Sequence, residues 1–171
     1  MNEKGVTLIE LLMVTAIIGI LLATIFMGYR GENKELILQR VASKMVTDME
    51  RTREMAMSAQ SNEGNYSGGG YGIYLSDNSE DLKKQYTIFA DTNSDQERSA
   101  SEDIDTIYME DNILITNLTP SNQLDIVFVS PSPNVYIEGV EGSAMIRIAI
   151  DTDSSKFKEV VISNTGLIYA R

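Results

Sequence analysis

The sequence of 171 residues contains neither cysteine nor histidine. The first absence excludes disulfides and thiolate chemistry; the second excludes imidazole-ligated metals and every Ser/His or Cys/His catalytic device. Cations are scarce too. Lys and Arg number 14 against 25 Asp and Glu, a formal charge of -11, and the acids gather between Asp77 and Asp111. Such a surface repels nucleic acid phosphates. Paired acids such as Glu80-Asp81 and Glu110-Asp111 have the groups for acid/base work, but nothing in the sequence sets them against a nucleophile.

What the chain does have is one long apolar run. From Val6 to Met27 roughly 22 residues pass without a Lys or Arg, and as a helix they would extend about 33 Å, the thickness of a bilayer core. One carboxylate, Glu10, stands near the start of the run. An ionisable group there costs roughly 2.5–3.5 kcal/mol on insertion scales and normally has a partner. A cut after Gly5 would supply one: the new α-amine of Val6, on the same chain or on a neighbour. A removable secretory signal fits poorly, because the charged region is only Asn2-Glu3-Lys4, the apolar run is too long and no A-x-A-like site follows it.

The order Lys4-Gly5-Val6-Thr7-Leu8-Ile9-Glu10 followed by an apolar helix resembles the N-terminus of type IV pilins and pseudopilins. That resemblance implies a leader at 1–5, removed between Gly5 and Val6 by a prepilin peptidase, N-methylation of Val6, and a role for Glu10 in subunit assembly. It implies a transmembrane and polymerisation helix at 6–28. It also places the chain in the cytoplasmic membrane as a single-pass protein with its head outside the cytoplasm, and afterwards in a filament. The implied partners are other pilin or pseudopilin subunits, the peptidase, the pilus or type II secretion assembly machinery and inner-membrane lipid. Val6 replaces the Phe commonest in the family and remains bulky and apolar.

Beyond the run, Gly28-Tyr29-Arg30-Gly31 marks a polar step where a kink or local melt is expected. Apolar residues then recur at Ile37, Val41, Met45 and Met49, flanked by Leu38, Ala42 and Val46, which predicts an amphipathic helix over 29–60 whose stripe is covered by a sheet. The Gly/Ser/Asn segment 61–70 reads as a linker; it lacks the Gly-Lys-Ser/Thr of a phosphate loop. Short β-branched and aromatic runs at 71–75, 85–90, 104–109, 113–116, 124–129, 135–138, 144–150, 157–162 and 167–170, separated by turn residues, predict strands. The fold class is α+β: a long N-terminal helix, half transmembrane and half amphipathic, packed on a mainly antiparallel β head at 61–171.

Within the head, 89–95, 126–131 and 160–166 are similar to the H-type pseudopilins and FimT-like minor pilins. Asp91, Asn93 and Asp95 alternate, and Glu102 occupies the twelfth place of the same loop, the oxygen spacing of an EF-hand-type calcium loop. Gln96 stands where such a loop has Gly, so a calcium site and a solvated acidic turn both stay open. No other cofactor and no enzymatic activity are expected. The leading function is a structural subunit of a pilus or secretion pseudopilus; the alternative is a minor tip pilin acting in binding, adhesion or DNA uptake.

Overall fold

The computed structural model describes the backbone at residues 5, 7–58, 61–62, 65–66, 68–130 and 135–171, and the side chains of these except at 25–33, 61–62 and 65–66. Helix α1 runs Leu8–Met57. Its backbone is helical through 28–31, where the glycine-bearing step suggested a melt: two glycines cost about 1 kcal/mol each against Ala, too little to open a helix with long good formers on either side. The chain divides into two compact units, 1–36 and 37–171.

In the first unit the described large apolar side chains find no cover. Leu8, Ile9, Leu11, Leu12, Met13, Val14, Ile17, Ile18, Ile20, Leu21 and Leu22 are all between 49% and 79% exposed. Among the described residues no helix is long and apolar enough to cross a membrane; the described side chains of the apolar run end at Thr24.

The second unit begins with the amphipathic part of α1 and continues, among the described residues, through twelve strands: β1 (Ser61–Asn62), β2 (Asn65–Tyr66), β3 (Gly70–Ser76), β4 (Gln85–Asp91), β5 (Asp103–Tyr108), β6 (Ile113–Thr119), β7 (Gln123–Phe128), β8 (Val135–Ile137), β9 (Val140–Glu141), β10 (Ala144–Ile150), β11 (Asp153–Ile162) and β12 (Ile168–Ala170). All pairings are antiparallel. They form a six-stranded sheet in the order β5-β4-β3-β7-β8-β9, a four-stranded sheet β12-β11-β10-β6, and a separate β1-β2 pair within the segment expected as a linker. Strand β11 begins earlier than the expected 157, because Asp153 already pairs with Ile150, and after a register shift Phe157 to Ile162 pair with Ala149 to Ala144.

One apolar core joins the three parts. From the helix come Leu38, Val41, Ala42, Met45, Met49 and Ala56; from the larger sheet Tyr71, Ile73, Leu75, Tyr86, Ile88, Leu124, Ile126 and Phe128; from the smaller Ile113, Ile115, Ile146, Ile148, Ile150, Val160 and Ile162. The i, i+2 alternation sets one face of each strand inward. Polar ties pin the helix in register. The Tyr86 hydroxyl donates to Asp48 Oδ2 at 2.5 Å, and burial first, then that carboxylate, pushes the phenol well above its ordinary range. Arg53 donates to the Gly166 carbonyl at 2.5 Å. Arg40 meets Glu110 at 3.2 Å, an exposed pair that contributes little.

Candidate processing and assembly site

The first helical turn is built by two side chains three residues apart. Glu10 N–H donates to Thr7 Oγ1 at 3.3 Å, while Thr7 N–H and Thr7 Oγ1 donate to Glu10 Oε2 at 3.4 and 3.3 Å. Thr7-Leu8-Ile9-Glu10 is therefore a capping box, in which a hydroxyl and a carboxylate satisfy backbone donors that the helix leaves unpaired. The negative charge also sits at the positive end of the helix dipole. The spacing Thr-x-x-Glu ahead of an apolar run is a sequence signature of a helix start, and reading Glu10 solely as an assembly group misses it.

Gly5 lies two residues before the cap, exposed. A Cβ added there would have no neighbour within 4 Å among the described residues, so none of them packs against this position. Val6 lies outside the described residues.

The acidic loop after β4 is a different construction. Asp91 is fully buried and accepts from Ser94 N–H at 2.7 Å and Gln96 N–H at 3.0 Å; burial raises its pKa against the lowering effect of those bonds. Gly69 makes the room: a Cβ there would meet Asp91 Oδ2 at 2.3 Å. Ser94 and Gln96 have φ of 65° and 63°, so the backbone passes through the left-handed turn without a glycine, held by the Asp91 carboxylate. Glu102, 5% exposed, closes the other end. It accepts from Thr92 N–H and Oγ1 at 2.8 Å each and from Ser99 N–H at 3.0 Å, capping a short 3₁₀ turn at Ala100–Glu102. Asn93 and Asp95 bond one another at 2.7 Å on the exposed side.

The four residues aligned with calcium-ligand positions are thus split between a buried pair and an exposed pair. The buried carboxylates spend oxygens on the loop's own N–H groups. Among the described residues no group of three or more His, Cys, Asp or Glu side chains is placed to hold a metal ion.

This loop also meets the second face of the six-stranded sheet. Arg98, bonded to Asp103 through two nitrogens at 2.6 and 2.5 Å, sets its guanidinium 4.6 Å from the Tyr74 ring centre. Across the strand from Tyr74 is Asp125, 6% exposed. Its Oδ1 has no hydrogen-bond partner, and burial, opposed by Arg98, lifts its pKa to about 6. Nothing in the alternating apolar pattern of β7 marked this carboxylate as buried.

Residues 1–26 match a family profile described as the prokaryotic N-terminal methylation motif. No curated protein and no solved structure matches the chain.

Proposed function

We propose that this chain, whose N-terminus carries the class III signal of type IV pilins and pseudopilins, is a structural filament subunit. A prepilin peptidase cuts it between Gly5 and Val6, Val6 is N-methylated, and the mature chain polymerises by burying its N-terminal helix among those of its neighbours in a pilus or secretion pseudopilus. The signal itself implies a membrane-anchored precursor and a structural rather than an enzymatic role. The observation that carries the reading is the stretch Leu8 to Leu22 of α1, where every large apolar side chain is exposed and the one acid, Glu10, sits in the first helical turn.

The physics of assembly follows from that helix. Lipid and neighbouring helices are both apolar, so exchanging one for the other leaves the balance to packing and to polar groups. A carboxylate carried into such a bundle has to be paired. Cleavage creates a cation next to Thr7, and Glu10 of an adjacent subunit is its counter-charge, which sets the axial register between chains.

Mass spectrometry of membrane-extracted and sheared-filament material tests the processing. The expected mature chain begins at an N-methylated Val6, and Gly5→Val, which meets no steric barrier in the folded chain, leaves the precursor uncut. A mature chain beginning at Met1 overturns the proposal.

A further inference from the structure

The six-stranded sheet has a second buried layer, on the face turned away from the helix. Phe89 and Val127 are fully buried but alternate with Ile88, Ala90, Ile126 and Phe128 of the core, so they point to the other side. Along this side runs the segment between β4 and β5, residues 92–102, fastened at successive strands. Asp91, the last residue of β4, takes the N–H groups of Ser94 and Gln96. Arg98 covers the Tyr74 ring of β3, and its backbone N–H bonds the Asp125 carboxylate of β7. Gln96 Oε1 lies beside the turn after β8, 3.9 Å from where a Cβ on Gly139 would stand. The segment is a strap, and Asp125 is its fastening on β7.

That fastening differs from the others. Asp91 and Glu102 have both carboxylate oxygens bonded, whereas Asp125, equally buried, keeps Oδ1 without a partner among the described residues. The groups that face it do not compensate. The strap brings Glu97 and Arg98, the latter committed to Asp103 through two nitrogens; β3 brings the phenol of Tyr74; the turn after β8 brings Glu138. Two acids and an already paired cation disfavour a negative charge here, while a neutral carboxyl is tolerated. An open strap returns the group to water. We propose that the strap is a proton-controlled latch, closed over β3 and β7 while Asp125 is protonated and loosened when Asp125 ionises, which exposes the Tyr74 ring and the carboxylate to solvent. The direction follows from linkage. A carboxyl whose pKa is about 6 in the closed head and near 4 in water holds the strap most tightly below pH 4 and progressively less as pH rises through 6. Between pH 5 and pH 8 the opening constant should rise about tenfold.

Amide hydrogen exchange of the full chain in micelles tests this, each rate being divided by the intrinsic rate of that amide at the same pH to give its opening constant. Thr92, Arg98 and Ser99 report on the strap; Ile148 and Val160, buried in the other sheet, report on global unfolding. In the parent the strap amides should open about tenfold more at pH 8 than at pH 5, and in Asp125→Asn less than twofold. Strap amides that stay constant while Ile148 and Val160 respond would show that Asp125 is released only by global unfolding, which overturns the latch. A variant that keeps the full pH dependence of the parent assigns it to another group and overturns it too. Glu97→Gln leaves Asp125 in place and removes an acid that faces it, so the transition of the strap amides should move to lower pH. Glu50→Gln, an equal charge change on an exposed position of α1, should not move it. Equal displacement by both would mean that the net charge of the head, and not the ring of groups around Asp125, governs the strap, and the proposal would fall.

Discussion

Helix α1 contains two stretches with similar propensity and opposite fates. Residues 8–22 leave every large apolar side chain exposed, whereas Leu38, Val41, Ala42, Met45 and Met49 are at most 5% exposed. The difference lies in the pattern. In the second stretch apolar residues keep to one stripe, with Arg40, Lys44 and Glu50 elsewhere, so one sheet-covered face is enough. The first stretch is apolar all round, and no single face of a protein head can cover it. A stretch of that kind needs apolar surroundings on every side, which either lipid or neighbouring helices supply.

Substitutions on the two sides should separate them by several kcal/mol. Met45→Ala, at a side chain with no exposure, should cost about 2–5 kcal/mol through lost transfer energy and the cavity left behind. Leu12→Ala, at a side chain 58% exposed, should leave head stability within about 0.5 kcal/mol. Urea unfolding of the full chain in detergent, followed by the tyrosine near-UV signal of the head, reads both. Equal loss from the two changes would mean the first stretch packs on the head after all.

Inside the head the contrast is between satisfied and unsatisfied burial. Asp91→Ala leaves the Ser94 and Gln96 N–H groups without their acceptor and frees two left-handed residues, so it should destabilise by about 2 kcal/mol. Asp125→Asn should do the reverse. A carboxyl whose folded pKa of about 6 exceeds its unfolded value near 4 binds its proton more tightly in the native state. Stability from this group is therefore complete below pH 4 and falls as pH rises through 6. At pH 7 Asp125→Asn should gain on the order of 1–2 kcal/mol, and the gain should vanish near pH 4. A gain independent of pH would show that charge is not its cause.

These outcomes also mark what could be read in advance. The stripe from Ile37 to Met49 and the alternation of Ile146, Ile148 and Ile150 were legible, because helix and strand periods are local. The division into two sheets was not, since it depends on which distant strands pair: β3 lies between β4 and β7, and β10 between β11 and β6. Strands of two residues, such as β1, β2 and β9, carry no period at all. For the acidic loop, spacing identified Asp91 and Glu102 as special; only the structure shows them turned inward on backbone N–H groups. At the N-terminus the signal matched over residues 1–26 was legible, while the capping role of Thr7 with Glu10 lay in the same letters under a different rule.

The smallest effect asks most of the comparison, because Glu10 serves both the helix and its proposed neighbour. Glu10→Gln keeps an acceptor of the same shape, and glutamine completes a capping box as glutamate does, so the first turn should be disturbed by only a few tenths of a kcal/mol. Thr7→Ala removes the hydroxyl and should cost about 1 kcal/mol locally. Hydrogen exchange at the amides of residues 8–11, measured on the full chain in micelles, should accelerate about fivefold for Thr7→Ala and less than twofold for Glu10→Gln. Filament incorporation should rank them the other way. Glu10→Gln loses the counter-charge for a neighbour's amine and should fall out of the sheared fraction, whereas Thr7→Ala retains that charge and should still enter it. If incorporation follows the exchange rates instead, Glu10 acts by capping its own helix, and the pairing between subunits has to be sought elsewhere.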